Sequence, residues 1–440
     1  MPKLIQINVA LNNGSTGKIA EGIASVARKN GWETYIVHGS RYINHTEDKA
    51  IQVASGVVDK LHYAKSLFLD GQGLGSTCAT KRLVKKLEEI KPDIIHLHVI
   101  HGSYINYKVL FEYIKEHDIP VVWTLHDCWN FTGHCTYFDQ VECDRWKYEC
   151  HDCPQKESYP KCIGLDLSRR NFNLKKRLFT SANITMAPVS EWLSGMLAES
   201  FLKDCKRKVL HNGIDLNTFK PTESNIRGRY DIGDKHIVLG VANGFGARKG
   251  LADFLKLADM LGDEYKVVLI GVDKGVIPSL PKNIIALSRT NDQQELAEFY
   301  TAADVFANPT YEDNFPTTNL EALACGTPVI TYKTGGSPEA VDYSTGVVIP
   351  QGDIDGLAGA IKNLIENPLS ADACLERARE HYDKNKQFMK YIELYNSLIH
   401  NKIGGCNRLE VCGILELRNT ENKELRIAAY SSCRERRMAA

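Results

Sequence analysis

Eleven short apolar, β-rich runs separated by amphipathic stretches set the strongest limit on how this chain folds. In the first half they are LIQINVA (4–10), TYIVHG (34–39), DIIHLHVI (93–100), VVWTLHD (121–127) and ITMAPVS (184–190). In the second half they are IVLGVA (237–242), KVVLIGV (266–272), NIIALS (283–288), VFANPT (305–310), PVITY (328–332) and VVIP (347–350). Runs apolar on both faces belong to strands covered on two sides, which is the condition of a parallel sheet. Helical patterns such as TGKIAEGIASVARKNG (16–31) and GLADFLKLADMLGD (250–263) supply the covers. A chain of 440 residues exceeds one ordinary core. The expectation is therefore an α/β chain with two Rossmann-like, doubly wound domains facing across a cleft. The first spans 1–215, a polar linker with Pro221, Gly228 and Gly233 fills 216–235, and the second spans 236–400. Residues 401–440 lack a coherent amphipathic pattern and read as a poorly ordered tail.

Charge and hydropathy narrow the classes. Lys plus Arg and Asp plus Glu are both 54, which argues against a nucleic-acid binder. No run approaches the ~20 apolar residues of a membrane span. Met1-Pro2-Lys3 leads straight into an apolar strand without a small-residue cleavage site, so no signal peptide is read and the expected compartment is the cytoplasm.

In such sheets ligands bind beyond the carboxyl ends of the strands. The most distinctive stretch there is EDNFPTTNLEALACGTPVIT (312–331), after the strand VFANPT. Pro316 suits the first position of a helix, Gly326 its end, and Pro328 lies beyond. The amides of Phe315, Thr317 and Thr318 then face the cleft at a helix start, a ready anion site. The acids Glu312, Asp313 and Glu321 suit hydroxyls of a sugar or ribose. After the strand IVLGVA, a glycine-rich loop delivers Arg248 and Lys249, two cations fit to neutralise a diphosphate. In the first domain, NNGSTGK (12–18) places Gly14 and Gly17 where backbone can approach a ligand closely, and His126-Asp127 end the strand VVWTL at the same cleft. His96 and His98, alternating within DIIHLH, read as structural.

These residues assemble a resemblance. NGIDLNTF (212–219), ARKG (247–250), EDNFPTTNLEALACGTPVIT and GGSPEAV (335–341) resemble the retaining glycosyltransferases of family 4, the group 1 type with the GT-B fold. The likeness extends over roughly 1–400 and is most specific at 305–341. The Cys-rich insertion resembles a subgroup from bacterial capsule, lipopolysaccharide and exopolysaccharide clusters. The resemblance implies a UDP- or GDP-sugar donor held by the second domain, together with Asn314 and the residues around it. It also implies a glycan or lipid-linked acceptor near the first domain, and a C-terminal helix that returns to that domain. Catalysis in that family needs no metal or other cofactor. Lys249 matches the family's diphosphate lysine, Glu321 its ribose acid, His126 its histidine near the donor sugar, and Gly14 its N-terminal loop glycine. Eight positions before Glu321 stands Asp313 where the family has Glu, so either Asp313 or Glu312 takes the first acidic role. The family's arginine position is Gly244 here, and Arg248 is the substitute. An epimerase on the same scaffold and a catalytically decayed sugar-nucleotide-binding protein are the rival readings.

Of 13 cysteines, six lie from Cys128 to Cys162 in a segment, 128–165, with little periodicity. Cys135, Cys143, Cys150 and Cys153 could hold a structural zinc that staples a loop lacking its own core, with His134 and His151 as substitute ligands. Free thiols packed in a loop fit the same spacing. Basic runs KRLVKK (81–86) and RRNFNLKKR (169–177) fit either solvated helix faces or peripheral contact with the inner face of the plasma membrane.

Overall fold

The structure is a computed structural model and describes residues 1–406, with side chains through 400. Met1–Ser397 make one compact unit. The tail expected from 401 lies, from 407 on, outside the described residues.

Seven strands form the first sheet: β1 Lys3–Ile7, β2 Glu33–His38, β3 Lys49–Gln52, β4 Ile94–Leu97, β5 Val121–Leu125, β6 Ile184–Pro188 and β7 Lys206–Arg207. Six form the second: β8 His236–Val241, β9 Tyr265–Ile270, β10 Ile284–Leu287, β11 Val305–Asn308, β12 Val329–Tyr332 and β13 Gly346–Ile349. The orders are β3-β2-β1-β4-β5-β6-β7 and β10-β9-β8-β11-β12-β13. Every pairing is parallel, as the two-sided apolar runs demand. All eleven expected strands are present. The two not foreseen, β3 (KAIQ) and β7 (KR), are exposed polar edge strands without an apolar signature.

The covers follow their spacing. Helix α1, Gly14–Lys29, buries Ile19, Ala20, Ile23, Ala24, Val26 and Ala27, one stripe of the helical period, and ends on Arg28 and Lys29. The strand order reverses between β1 and β4 and again between β8 and β11. In sheets of this kind ligands bind at such switch points.

The last helix among the described residues, Lys384–Cys406, belongs by sequence to the second half but packs on the first sheet. Its tyrosines enter a buried relay. Thr124 donates to the Tyr391 hydroxyl at 2.9 Å, so its oxygen accepts from His96 Nε2 at 2.7 Å. That leaves His96 Nδ1 to accept from the Tyr395 hydroxyl at 2.6 Å. Burial holds His96 neutral, its pKa well below the ordinary value.

The insertion 128–165 packs into the core of the first half: Phe131, Phe138 and Trp146 join the cluster that holds Ile5 and Trp123, with Trp146 stacked on Phe138 at 4.8 Å and 5.2 Å from Phe131. Lys175 is buried beneath it, with Nζ 3.3 Å from the Trp129 ring centroid and donating to the carbonyls of Trp129 (2.6 Å) and Thr132 (3.0 Å). Burial draws this lysine's pKa down to about 7.

Tyr395→Phe strands His96 Nδ1 without its donor in a site water does not reach. The expected loss is about 1–3 kcal/mol in urea unfolding. An unchanged midpoint would show that the relay does not tie the last helix to the first sheet.

Candidate active site

At the second switch point two loops meet. Beyond β11, Pro309 to Pro316 form a turn, and the helix Thr317–Ala324 starts after it. Pro316 (φ −66°, ψ 122°) caps this helix from outside, one residue earlier than the sequence reading had it. Its ψ is extended, so Thr317 carries the first helical dihedrals. The amides of Phe315, Thr317 and Thr318 donate no hydrogen bond among the described residues. Thr317 and Thr318 remain partly exposed, which suits an incoming anion.

Facing that helix start, the loop beyond β8 turns through Ala247–Lys249. Gly250 (φ +68°) lets the loop press on the strand end, since a Cβ there would lie 2.2 Å from the Pro309 carbonyl oxygen. Lys249 Nζ forms an ion pair with Asp313 Oδ2. Asp313 Oδ1 accepts the Asn314 amide at 3.0 Å. Arg248 stays exposed and donates through Nη1 to the Glu312 carbonyl oxygen at 2.9 Å. Lys249 and Asp313 are thus brought together, with Arg248 beside them on the same loop.

The two candidates for the first acidic role separate. Asp313 sits with Lys249 at the cleft. The Glu312 side chain turns away into the insertion and is 6% exposed. There Gln155 Nε2 approaches its Oε1 at 3.5 Å. Burial raises its pKa, neighbouring Asp139 adds to that, and the Gln140 amide and Arg248 oppose it. Tyr137 of the same insertion faces the Arg248 guanidinium, 5.8 Å from ring centroid to Cζ. The insertion is therefore a wall of this site. Tyr137, Asp139, Gln140 and Gln155 were not foreseen, because no spacing rule links a loop after β5 to a loop after β11.

Glu321 lies one turn into the helix. Its Oε2 accepts the Tyr300 hydroxyl at 2.9 Å. Burial raises its pKa against that hydrogen bond and the charge of Lys18, which projects from α1 on the opposite side of the cleft. Gly14 opens α1 and is exposed, while Gly17 is buried one turn on, where a Cβ would meet the Asn12 amide nitrogen at 3.3 Å.

Asn314 and Phe315 serve differently from what the sequence reading expected. Asn314 is held by Ser190 Oγ at 2.5 Å and donates to the Leu125 carbonyl at 3.3 Å. The Phe315 ring stacks on His211 at 4.8 Å, and its carbonyl accepts from Asn212 Nδ2 at 3.0 Å. Their side chains fasten the loop to the first half, leaving only their backbones for a ligand.

Across the cleft, the polar chain ending at His126 is directional. Gln6 Nε2 donates to the Ala20 carbonyl at 2.8 Å, so Gln6 Oε1 accepts from His98 Nε2 at 3.0 Å. His98 Nδ1 is then an acceptor, and His126 Nε2–H donates to it at 3.1 Å. His126 is left with a bare Nδ1. Burial lowers its pKa to about 4, outweighing the pull of Asp127. His98, read from the sequence as structural, is thus a positioning residue. Asp127 accepts from His101 Nε2 and from the Trp129 amide, both at 2.9 Å.

The four cysteines expected as zinc ligands all lie in the insertion, where Cys150 feels the charge of Cys143 and Cys153, and Cys135 that of Cys150 and Cys153. Cys150 Sγ accepts the Gly133 amide at 3.2 Å. Cys135 and Cys153 share a hydrogen bond that draws the Cys153 thiol down and pushes the Cys135 thiol up. Cys143 is packed against the same core. His134 turns Nδ1 to Asp70 at 2.5 Å, and His151 pairs with exposed Asp152. Among the described residues no three His, Cys, Asp or Glu side chains stand close enough to hold a metal ion.

The geometry makes two predictions. Asp313→Asn is expected to lower turnover about 10- to 100-fold, and Glu312→Gln less than tenfold, from the cost of losing a charged hydrogen bond. The reverse order would assign the first acidic role to Glu312. His126 carries no charge above about pH 5, so the pH–rate profile should show no limb near 6.5. A limb there that disappears in His126→Gln would contradict a neutral acceptor.

Two family models match this chain in tandem. Residues 20–218 match "Glycosyltransferase Family 4" and residues 222–381 match "Glycosyl transferases group 1". The Escherichia coli (strain K12) protein WcaC, whose name makes it a glycosyl transferase of colanic acid biosynthesis, is 22% identical over 90% of this chain and all of its own length. Among solved structures, sucrose-phosphate synthase from Thermosynechococcus elongatus superposes with a TM-score of 0.70 at 18% identity, over 91% of this chain and 100% of that one. HepE of Anabaena in complex with UDP-glucose gives 0.63 at 16%, over 90% and 100%.

Proposed function

Since the chain is a glycosyltransferase of the GT-B fold, we propose that it is a retaining enzyme of bacterial surface-polysaccharide synthesis. It moves a hexose from a UDP- or GDP-sugar to a glycan or lipid-linked glycan at the inner face of the membrane. One observation carries this reading: Lys249, Arg248 and the undonated amides before and within the helix start at Thr317 converge at one switch point. Support comes from HepE, whose structure holds UDP-glucose, and from WcaC, whose name places it in colanic acid synthesis.

The reaction breaks the bond between the anomeric carbon and the diphosphate oxygen. The acceptor hydroxyl forms the new bond on the face the leaving group vacates and gives its proton to the departing diphosphate oxygen. Negative charge builds on the departing diphosphate, and fixed donors aimed at it lower the barrier most. Lys249 is already oriented by Asp313, and the helix amides need no rearrangement. Glu321, one turn further, accepts the ribose hydroxyls. His126, neutral and with Nδ1 bare, accepts a hydrogen bond from the donor sugar as positive charge develops at the anomeric carbon.

Offered a panel of UDP- and GDP-hexoses, the purified chain is expected to release nucleoside diphosphate slowly without an acceptor. Lys249→Ala should lose about 10²–10³ of that rate. Unimpaired turnover by Lys249→Ala would sink the assignment. A sugar isomerised on its intact nucleotide would mark an epimerase, and no turnover with any donor a decayed binding protein.

A further inference from the structure

One helix of the first half is built inside out. Helix α2, Gly56–Leu69, buries Asp59, His62 and Ser66, which recur at the spacing of one helical face. The opposite stripe, Val57, Leu61 and Phe68 with half-buried Ala64 between them, is apolar and faces outward. Val57 is 69%, Leu61 68% and Phe68 52% exposed. A surface helix normally turns its apolar stripe inward and draws its stability from that packing. Here the polar face is tied down instead. Asp59 Oδ2 accepts the amide of Ser40 at 3.0 Å and its hydroxyl as well. His62 accepts the Gly75 amide at 2.8 Å through Nε2, with Ser76 Oγ 3.0 Å from Nδ1. These bonds fix the rotation of the helix, so the apolar stripe cannot roll inward.

The insertion extends the patch. Ile163 and Leu165 donate their amides to the carbonyls of Leu67 (2.8 Å) and Phe68 (2.9 Å). Their side chains, 49% and 60% exposed, lie beside the end of α2. Next to this apolar strip is a cavity of about 630 Å³ lined by Lys65, Lys108, Arg170 and Arg177, with no carboxylate in its wall. Lys65 belongs to α2 itself, and neither Arg170 nor Arg177 makes an ion pair among the described residues.

We propose that this face docks on an anionic lipid bilayer. The stripe of α2 with Ile163 and Leu165 enters the headgroup boundary, while Lys65, Arg170 and Arg177 meet lipid phosphates. Charge chooses the occupant: an outward apolar stripe flanked by Lys65, Arg170 and Arg177 matches a surface that offers acyl chains and anions side by side. The inference deepens the membrane part of the preceding reading and rests on it. Vesicle binding and donor turnover are separate readouts, so failure of either is told from failure of the other.

The test is sedimentation of the full chain with vesicles of equimolar phosphatidylglycerol and phosphatidylcholine, and with phosphatidylcholine alone. The chain is expected to sediment with the mixed vesicles, much less with the neutral ones, and less as salt rises. The double variant Leu61→Asp, Phe68→Asp should lose about tenfold or more of the partition. Arg170→Ala and Arg177→Ala should each lose roughly fivefold, on anionic vesicles only. All four side chains are exposed, and unchanged donor hydrolysis confirms that the variants fold. The proposal is overturned if the wild type ignores anionic vesicles or if the Leu61, Phe68 variant binds as well as wild type. It is also overturned if the face mediates self-association of the chain without vesicle binding.

Discussion

The loop from Glu312 to Pro316 is held from both halves at once, and the site depends on that double hold. Its Asn314 side chain is bonded to Ser190 and to the end of β5, its Phe315 carbonyl to Asn212, and its Phe315 ring is stacked on His211. From behind, the Gly335-Gly336 turn leaves no room for a side chain, since a Cβ on Gly335 would lie 1.9 Å from the Asp313 carbonyl oxygen. Each buried hydrogen bond contributes only about 1 kcal/mol net, but a partner left unpaired costs about 1–3 kcal/mol. The loop therefore has one position, and the amides at the following helix start are aimed before any ligand arrives. Preorganisation of that kind is what makes fixed donors effective against developing charge.

The other parts take their places around this loop. With Glu312 drawn into the insertion by Gln155 and the Gln140 amide, Asp313 is the acid left to hold Lys249. The relay Gln6–His98–His126 presents a neutral ring edge from the opposite sheet. The insertion touches the site through Tyr137 and Gln155 at one end. At the other it meets α2 through Ile163 and Leu165. A single segment thus spans from the reacting groups to the proposed lipid face.

What the sequence made legible follows from what periodicity encodes. Interior parallel strands are apolar on both faces and announce themselves, while the polar edges β3 and β7 do not. The motifs around Lys249 and Thr317 were readable because glycine and proline are placed by backbone needs. Side-chain partners were not. Alternation assigned His98 to a face but was silent on its bond to His126, and the insertion's aromatic cluster arises from Phe131, Phe138 and Trp146 at no regular interval. Cysteine spacing nominated four ligands but was silent on their partners, the Cys135–Cys153 hydrogen bond and the Gly133 amide on Cys150. The stripe Val57, Leu61, Ala64, Phe68 has the helical period, but a period does not say which side faces inward.

The most direct test is a structure of the chain with a nucleoside diphosphate bound. The account predicts phosphate oxygens within about 3 Å of the Thr317 and Thr318 amides and of Lys249 Nζ, with the ribose on Glu321. A diphosphate seated instead on the Gly14 end of α1, with the second switch point unchanged, would contradict it.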